Sequence, residues 1–349
     1  MVMTLENFWN NKKVLVTGHS GFKGMWMSLV LNYFNASVTG ISKTGKGSNA
    51  YKTLDSNKYF ENEYFLDLSE PLNEDNKKIF KNQNFDIIFH FAAQSLVSIA
   101  AKDPIRTLKT NVLGTFNIID VILKSKISNC MVISTTDKVY KNTENLNNED
   151  SKLGGSEFYS SSKVGQEMVI ESFKNSIHDR KLNLSTVRSG NVLGPGDGAP
   201  DRLMTDLIKS LKKDEDIILR NPNSIRPWQD ILDSIYGYML VAQESYISNS
   251  EDIFNLNTEI NNEVTTKEIA NKTIKKWNSD IKIIESNETN YYEASKLRLD
   301  SSKAETILGW KSKLNIDITI DKIVEWEKSK NKSDCETISF KQIENYFKI

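Results

Sequence analysis

The fold class of this chain is set near its start, by the stretch Lys13-Val14-Leu15-Val16-Thr17-Gly18-His19-Ser20-Gly21-Phe22-Lys23-Gly24. Its first five residues form a β-branched apolar run, which predicts a buried strand. The helical spacing of Trp26, Leu29, Val30 and Tyr33 predicts an amphipathic helix directly after the glycines. Glycines in such a turn allow a tight bend, close approach of the backbone to a pyrophosphate and close packing of helix on strand. The stretch therefore predicts a dinucleotide-binding unit; the alternative is a glycine-rich turn without a ligand.

The alternation of short apolar runs with longer helical patterns continues to about residue 190. Strands that alternate with helices predict an α/β fold, here a Rossmann-type doubly wound parallel sheet. We expect residues 1–190 to form the dinucleotide-binding domain. The further strands are predicted at 37–41, 86–91, 130–134 and 184–188, and the main helices between them at 110–124 and 160–174.

From residue 191 onward the pattern loosens and a turn-rich segment, 194–198, interrupts it. Helices are predicted at 201–213, 230–244 and 266–277, and a strand at 253–256. We expect residues 191–349 to form mainly a smaller α+β, substrate-binding lobe, while residues 230–258 return to the first domain.

Charge and composition exclude several classes of function. Lys and Arg number 45 against 46 Asp and Glu, a net charge of −1, so nothing points to nucleic acid or an anionic membrane as partner. Two cysteines, Cys130 and Cys335, and three dispersed histidines suit neither a disulfide framework nor a metal site, so no metal is predicted. Because no signal-peptide or membrane-length apolar segment is visible, we expect a cytoplasmic protein.

A tyrosine and a lysine, Tyr159 and Lys163, lie four residues apart and so share one face of a predicted helix. An ammonium beside a phenol lowers its pKa, which makes the phenol a usable base near neutral pH. The alternative is an ordinary surface pair. The segment Thr136-Asp137-Lys138 follows the predicted strand 130–134, and strand ends of this kind face the ligand crevice. The two segments together therefore predict a catalytic site.

These motifs together resemble the extended short-chain dehydrogenase/reductases. Within that family the chain is most similar to the CDP-glucose 4,6-dehydratase subgroup, and the resemblance runs from about Lys12 to Trp310. The motifs that carry the family resemblance are the glycine turn 18–24, the segments 90–94 and 111–115, and the Tyr/Lys pair. Those that carry the subgroup are the stretch 17–24 with its particular residues and the segments 136–138, 153–155, 188–194, 201–203 and 220–229.

The resemblance implies a lyase that converts a nucleoside diphosphate hexose into its 4-keto-6-deoxy derivative. Tyr159 would take the proton of the 4-hydroxyl, Lys163 would hold the phenolate and the nicotinamide ribose, and Thr136 would hydrogen-bond the 4-oxygen. Asp137 would protonate the departing 6-hydroxyl, which requires a protonated carboxyl. Lys138 would remove the C5 proton if it is neutral; the alternative is that Lys138 pairs with an acid and another group takes that proton.

The implied cofactor is NAD, although NADP stays open. An acid that would bind the ribose 2′-hydroxyl is missing at Ser42, and the next residue, Lys43, either meets a 2′-phosphate or is a solvated surface charge. Asp67 either contacts the adenine or caps a helix. The full set of expected cofactor-binding residues is Gly18, Ser20, Gly21, Phe22, Lys23, Gly24, Ser42, Asp67, Leu68, Phe91, Ala92, Ala93 and Asn111.

The residues expected to bind the sugar nucleotide are Gln94, Asn191, Arg188, Arg202 and Arg226. The arginines suit a pyrophosphate because their planar forks match phosphate oxygens, although each could instead form a structural salt bridge. Departures from the subgroup pattern, at 98–101 among others, keep GDP- and UDP-linked sugars open beside CDP-glucose. A 4-epimerase or reductase of the same family is the other alternative. The family relation also implies a homodimer or homotetramer through helices near Thr110 and Tyr159.

Overall fold

The structure, a computed structural model, describes residues 4–81, 83–141, 145–177, 181–258, 264–286, 297–329 and 331–348. The strands are β1 Lys13–Thr17, β2 Ser37–Ser42, β3 Asn62–Phe65, β4 Ile87–His90, β5 Cys130–Ser134, β6 Asn183–Ser189, β7 Val192–Leu193, β8 Ile217–Arg220, β9 Ile225–Arg226, β10 Gln229–Asp230, β11 Ile253–Leu256, β12 Val264–Thr265 and β13 Ile283–Ser286. The α-helices are α1 Leu5–Trp9, α2 Phe22–Tyr33, α3 Asn49–Thr53, α4 Glu74–Lys78, α5 Val97–Lys102, α6 Pro104–Leu108, α7 Gly114–Ser125, α8 Phe158–Ser176, α9 Leu203–Lys213, α10 Ile231–Ser248, α11 Thr266–Trp277, α12 Ser302–Leu308, α13 Ile316–Glu327 and α14 Lys332–Lys348. Short 3₁₀ turns occupy Ser56–Tyr59 and Asp137–Val139, and a π-helical turn occupies Lys109–Leu113.

Within the described residues the main sheet has seven strands in the order β11-β6-β5-β4-β1-β2-β3, and all its pairings are parallel. The prediction of a doubly wound parallel sheet is therefore confirmed. The strand order reverses between β1 and β4. In sheets of this kind ligands bind beyond the carboxyl ends of the strands at such a reversal, and β1 ends there in the glycine turn.

Apolar cores cover both faces of the sheet. On one face α2, α10 and the C-terminal helices pack around Trp26, Phe254 and Trp310. On the other face α7 and α8 contribute Ile118 and Ile170 to a second core. Because both faces are buried, the strands are apolar along most of their length, as parallel strands covered by helices usually are.

A third core belongs to a smaller unit made by α9, α11, α13, β8 and β13, with Leu207, Ile269 and Ile320 at its centre. The chain then returns to the main sheet, because β11 pairs with β6. Helix α14 also packs on the main core, through Ile343 and Tyr346. No helix in the described part of the chain has the length and apolar character needed to cross a membrane.

Candidate active site

The glycine turn between β1 and α2 brings three segments of backbone into close contact. Gly18 has a φ of +75°, and a Cβ built on it would lie 2.6 Å from the backbone nitrogen of Ala92. A Cβ on Gly24 would lie 2.2 Å from the carbonyl oxygen of Gly18. Gly21 is the N-cap residue of α2 and has no side chain to cap the helix, so the first N–H groups of the helix stay available for an anion such as a pyrophosphate.

A crevice of about 540 Å³, here called the cofactor crevice, opens above this turn. This volume lies in the range of small-molecule and cofactor sites. The backbone N–H groups at the start of α2 suit a pyrophosphate, because glycine lets the chain approach it closely. Ten of the thirteen expected cofactor residues line the cofactor crevice: Gly18, Ser20, Gly21, Phe22, Ser42, Asp67, Leu68, Phe91, Ala92 and Ala93.

At the far end of the cofactor crevice the side chains at the end of β2 are engaged with each other. The Ser42 hydroxyl accepts a hydrogen bond from the Ser20 amide at 3.1 Å, which ties the glycine turn to β2. The Lys43 ammonium lies 2.5 Å from the Asp67 carboxylate. Burial opposes ionisation, but hydrogen bonds from Lys43 and Ser69 lower the pKa of Asp67 below its ordinary value. Lys43 is therefore an ion-pair partner of Asp67 and not an isolated surface charge.

A second cavity of about 240 Å³, here called the catalytic cavity, is lined by Thr136, Lys138, Tyr159 and Lys163. It shares part of its wall, including Gly21, with the cofactor crevice. The structure therefore brings the two predicted catalytic segments together beside the dinucleotide site.

Tyr159 lies in the first turn of α8 and lines the catalytic cavity. Glu157 caps the helix: its carboxylate accepts from the amides of Tyr159 at 2.6 Å and Ser160 at 2.7 Å, and the Ser160 hydroxyl accepts from the Glu157 amide. This reciprocal capping box fixes the first turn of the helix. Tyr159, the predicted catalytic tyrosine, therefore lies on a helix turn that is held by its cap.

The expectation that Lys163 lowers the pKa of Tyr159 is corrected by the structure. Burial raises the pKa of Tyr159, and a hydrogen bond with Thr136 offsets only part of that rise. Desolvation dominates because it disfavours the charged phenolate. Lys163 is itself desolvated, and burial followed by repulsion from Lys23 lowers its pKa to about 7.

Lys163, which is buried, and Lys23, which is half-buried, both line the catalytic cavity. Lys163 Nζ donates to the carbonyl oxygen of Ser134 at 3.1 Å and to Gln166 Oε1 at 2.8 Å. Lys23 Nζ donates to Ser189 Oγ at 2.7 Å, and burial followed by repulsion from Arg202 lowers its pKa to about 7. Both amines can therefore exchange a proton near neutral pH.

Asp137 lies directly behind Thr136 and is 3% exposed. Its Oδ1 accepts from the Thr136 hydroxyl at 2.9 Å, whereas Oδ2 is buried and has no hydrogen-bond partner within the part of the chain that the structure describes. A Cβ on Gly190, which lines the catalytic cavity, would come within 3.3 Å of that Oδ2. The glycine therefore leaves the carboxyl group next to the cavity wall.

The prediction that Arg188 binds a pyrophosphate is wrong, because its guanidinium is 2% exposed and occupied by the protein. It donates to both carboxylate oxygens of Glu167, at 2.5 to 3.2 Å, and to the hydroxyl of Tyr140 at 2.9 Å. Burial opposes the charge, but the Glu167 carboxylate raises the pKa of Arg188. The alternative of a structural salt bridge is the one that the structure supports.

Gln94 lines the cofactor crevice, and its side chain, like that of Asn111, also bonds to the protein. Gln94 Nε2 donates to Thr107 Oγ1 at 2.9 Å, and its Oε1 accepts from the amide of Leu96 at 2.7 Å. Asn111 is fully buried; it bonds the backbone of Gln94 on both sides and donates to Ser162 Oγ at 2.8 Å. Asn111 thus positions the wall of the cofactor crevice and α8 without lining the crevice.

The remaining predicted residues line cavities. Lys23, Gly24, Asn191 and Arg202 line the catalytic cavity; the Arg202 guanidinium also pairs with Asp197 at 2.7 Å. A third cavity of about 110 Å³, here called the small-lobe pocket, is lined by Arg226 and Asn191 among others.

Sequence reasoning missed two polar side chains near the amines of Lys23 and Lys163: Ser189 and Tyr238. Ser189 follows the catalytic segments by many residues and accepts from Lys23, and Tyr238 on α10 lies 2.6 Å from Ser134 Oγ. No spacing rule links these positions, because they meet only when β6 and α10 pack onto the sheet. The one available signal was the small polar character of Ser189 at the end of a predicted strand.

The fold, the glycine turn and the Tyr/Lys pair together define a member of the extended short-chain dehydrogenase/reductases. A family model described as GDP-mannose 4,6 dehydratase matches residues 15–323, so the chain belongs to the family that this model describes. The predicted family relationship is thereby confirmed.

The similar proteins are dehydratases and epimerases whose names specify sugar nucleotides. The chain is 35% identical over 340 residues to a CDP-glucose 4,6-dehydratase of Salmonella typhimurium, a match that covers 93% of this chain and 92% of the relative. It is 25% identical over 268 residues to a UDP-glucose 4-epimerase of Lactobacillus helveticus, covering 72% and 80%. A solved structure of a dTDP-glucose 4,6-dehydratase from Streptomyces venezuelae, with NAD bound, shares the fold with a TM-score of 0.77 at 20% identity, covering 90% and 96%.

Proposed function

We propose that the chain is an NAD-dependent sugar-nucleotide 4,6-dehydratase, a hydro-lyase, and that its substrate is CDP-glucose. The observation that carries the proposal is the meeting of Thr136, Lys138, Tyr159 and Lys163 in one cavity that joins a dinucleotide crevice. The 35% identity to a CDP-glucose 4,6-dehydratase over almost the whole chain supports the same chemistry.

The cofactor crevice would hold NAD through the glycine turn and the helix N-terminus behind it, with Asp67 and Leu68 at the adenosine end. When bound, NAD supplies a nicotinamide ring that accepts a hydride and returns it, so no net redox change results. The Lys43–Asp67 ion pair occupies the end of β2 where an acid for the ribose is usual. The residues of the crevice thus fit the group.

Proton transfers at the sugar fall to residues of this chain. Tyr159 would remove the proton of the 4-hydroxyl while Thr136 hydrogen-bonds the 4-oxygen. Burial disfavours the phenolate of Tyr159, and the hydrogen bond with Thr136 is the largest contribution that offsets this. Lys163, which lines the same cavity, would hold the nicotinamide ribose. Once the 4-position is a ketone the C5 proton is acidic, and Lys138, which lines the same cavity, would accept it.

Water loss requires a proton for the leaving 6-hydroxyl, and Asp137 is the group that would give it. Its unpartnered Oδ2 lies beside Gly190 at the wall of the cavity, so a carboxyl proton there has no competing protein acceptor among the described residues. General acids placed in this way contribute roughly 10²- to 10⁴-fold to a rate.

The test is incubation of the purified protein with CDP-glucose and, separately, with UDP-glucose, dTDP-glucose and GDP-mannose. We expect a 4-keto-6-deoxy product from CDP-glucose, detected by its ultraviolet absorbance in alkali and by a new C6 methyl signal in NMR, with no net change in NADH. A C4-inverted sugar would instead indicate an epimerase, and net consumption of NADH a reductase. Either result would overturn the proposal.

We also propose that the protein is a homo-oligomer through the helices around α8. Exposed apolar side chains cluster there on α6, the π-helical turn, α7 and α8, and apolar clusters of this kind mark interaction surfaces. They are Ile105, Leu108, Leu113, Phe116, Phe158 and Met168. Light scattering coupled to size exclusion should give a dimer or tetramer, and Phe116→Glu should shift it toward the monomer. A wild-type monomer would refute this.

A cytoplasmic location completes the proposal. Its supports are the two cysteines, Cys130 and Cys335, which are both buried and not joined in a disulfide, as suits a reducing compartment. Fractionation of cells that express the protein with its natural ends checks this, and recovery outside the cytoplasm would contradict it.

A further inference from the structure

The small-lobe pocket adjoins the catalytic cavity. Asn191, Leu203 and Trp228 line both, and Arg226, which is 4% exposed, lines the small-lobe pocket beside them. If the hexose lies beside Tyr159, as the proposed function requires, a diphosphate passes Arg226 and the base of the nucleotide enters this pocket. The assignment of the base therefore rests on the proposed function.

The dimensions of the small-lobe pocket favour a single-ring base. Its volume is about 110 Å³, which is below the ~150 Å³ of a cavity that accepts one benzene ring, so the pocket has no room for a second fused ring. A pyrimidine therefore suits the pocket better than a purine, which has a second fused ring. This argues for a cytidine, uridine or thymidine diphosphate sugar and against a guanosine one.

Two carboxylates line the small-lobe pocket, and the structure distinguishes them. Asp201 is occupied, because its Oδ1 accepts from Arg220 at 3.2 Å and its Oδ2 accepts from the Ser98 hydroxyl at 2.7 Å. The carboxylate of Asp206 lies 3.8 Å from Lys209 Nζ, which is beyond hydrogen-bonding distance. Asp206 therefore retains acceptor capacity for a ligand.

Asp206 is also held in place and partly shielded from water. It lies in the first turn of α9, where its amide donates to the carbonyl oxygen of Arg202 at 2.9 Å. Burial raises the pKa of Asp206 although 40% of its side chain stays exposed, so the carboxylate is partly desolvated and still open to a donor from a ligand.

The three pyrimidines differ at the atom that such a carboxylate would meet. Cytosine carries an amino group at C4, which donates to carboxylates, whereas uracil and thymine carry a C4 oxygen, which can only accept. We propose that Asp206 selects cytosine by accepting from its 4-amino group, and that it rejects uracil and thymine by opposing their C4 oxygen with a second acceptor. Discrimination thus comes from an attractive and a repulsive element at one position.

The test is calorimetric binding of CDP, UDP, dTDP and GDP to the wild type, to Asp206→Asn and to a control, Asp214→Asn. Given what one well-placed pair contributes to discrimination between bases, the wild type should bind CDP roughly 5- to 150-fold more tightly than UDP. In Asp206→Asn the CDP/UDP ratio should fall to within about threefold, because an amide can turn a donor toward the C4 oxygen. Asp214 is exposed at the end of the same helix with a positive φ that asparagine accepts, so its variant should keep the wild-type ratio.

Three results would overturn the proposal: a wild type that prefers UDP, dTDP or GDP, an Asp206→Asn variant that keeps the CDP preference, or a control that loses it. Thermal unfolding of each variant confirms folding, and Asp206→Ser, which also lacks the carboxylate, serves if the asparagine variant is unstable. Binding of a diphosphate needs no turnover. A CDP preference that depends on Asp206, in a protein that makes no ketone from CDP-glucose, would therefore refute the proposed function and leave this inference standing.

Discussion

Two buried cations at helix α8 have opposite electrostatic settings. Lys163, on the helix, donates only to the carbonyl of Ser134 and the amide oxygen of Gln166 among the described residues, and its pKa falls to about 7. Arg188, on β6, donates to the carboxylate of Glu167, one helical turn beyond Lys163, and its pKa rises. A buried cation with a carboxylate stays charged and supports the fold, whereas one with only neutral oxygens can lose its proton. Helix α8 therefore has one turn that lines the catalytic cavity, with Tyr159 and Lys163, and one that supports the fold, with Glu167. They are called the catalytic turn and the structural turn below.

The largest expected effect is on the catalytic turn. Tyr159→Phe removes the hydroxyl that takes the proton of the substrate, so kcat should fall by about 10³-fold, within the usual range for a general base. Stability should change little, because the ring stays in place. The measurement is the initial rate of ketone formation from CDP-glucose, together with urea unfolding.

Tyr140→Phe is the matched control for that variant. The Tyr140 hydroxyl donates to Asn255 at 2.7 Å and accepts from Arg188, so its loss should cost about 1–2 kcal/mol of stability and leave the rate nearly unchanged. If Tyr140→Phe lost activity as severely as Tyr159→Phe, the separation into two turns would be wrong.

The structural turn should respond to Glu167→Gln with a loss of about 3 kcal/mol in the free energy of unfolding. Removing one charge of a buried pair leaves the Arg188 guanidinium uncompensated in a desolvated site. Urea unfolding measures this, and Glu171→Gln, an exposed glutamate one turn further along α8, should behave like the wild type. Adding Arg188→Met to Glu167→Gln should restore part of the loss; a double variant less stable than the single one would contradict the ion-pair explanation.

Asp137 extends the comparison of the two turns, because it is a buried carboxyl group beside the wall of the catalytic cavity. Asp137→Asn should leave oxidation at C4 intact and slow water loss by roughly 10²-fold, the lower end for a positioned general acid. Reduced cofactor should then accumulate in single-turnover absorbance at the NADH band. Equal losses in hydride transfer and in water loss would make Asp137 a positioning residue.

The smallest effect concerns pH. The pKa of Lys163 is about 7 in the folded protein and 10.5 ordinarily, so between these values the unfolded chain binds more protons and stability rises with pH. Compared with Lys163→Met, the wild type should gain about 1 kcal/mol in the free energy of unfolding from pH 7.5 to 8.5. Urea unfolding at both pH values measures it, and a difference between the two proteins that does not change with pH would count against a lowered pKa.

Local patterns predicted much of the fold. The strands Lys13–Thr17 and Cys130–Ser134, the strand Ile253–Leu256 and the helix Thr266–Trp277 lie at the predicted positions. They could be predicted because apolar periodicity and capping residues act over a few positions. The C-terminal helix Lys332–Lys348 lay beyond the region of resemblance and carried no prediction.

The wrong site assignments share one cause. Arg188 and Asn111 both carry polar groups at positions typical of ligand binding, yet each meets protein partners many residues away. Whether a polar side chain contacts ligand or protein depends on which distant element packs over it. Asp206 shows the reverse case, since nothing in its neighbourhood along the chain marks it, and only the packing of α9 against β8 places it at a pocket.

By itself, the sequence determined the alternation of strands and helices, the glycine turn and the Tyr159–Lys163 pair, because each depends on residues close together in the chain. Only the tertiary structure decided the pKa values and the hydrogen-bond partners of Lys163 and Arg188. The lowered pKa of Lys163 comes from burial and from Lys23, more than a hundred residues earlier in the chain, and the raised pKa of Arg188 comes from Glu167. Desolvation and charge–charge contact act through space, so they are fixed only once the distant elements of the chain have packed together.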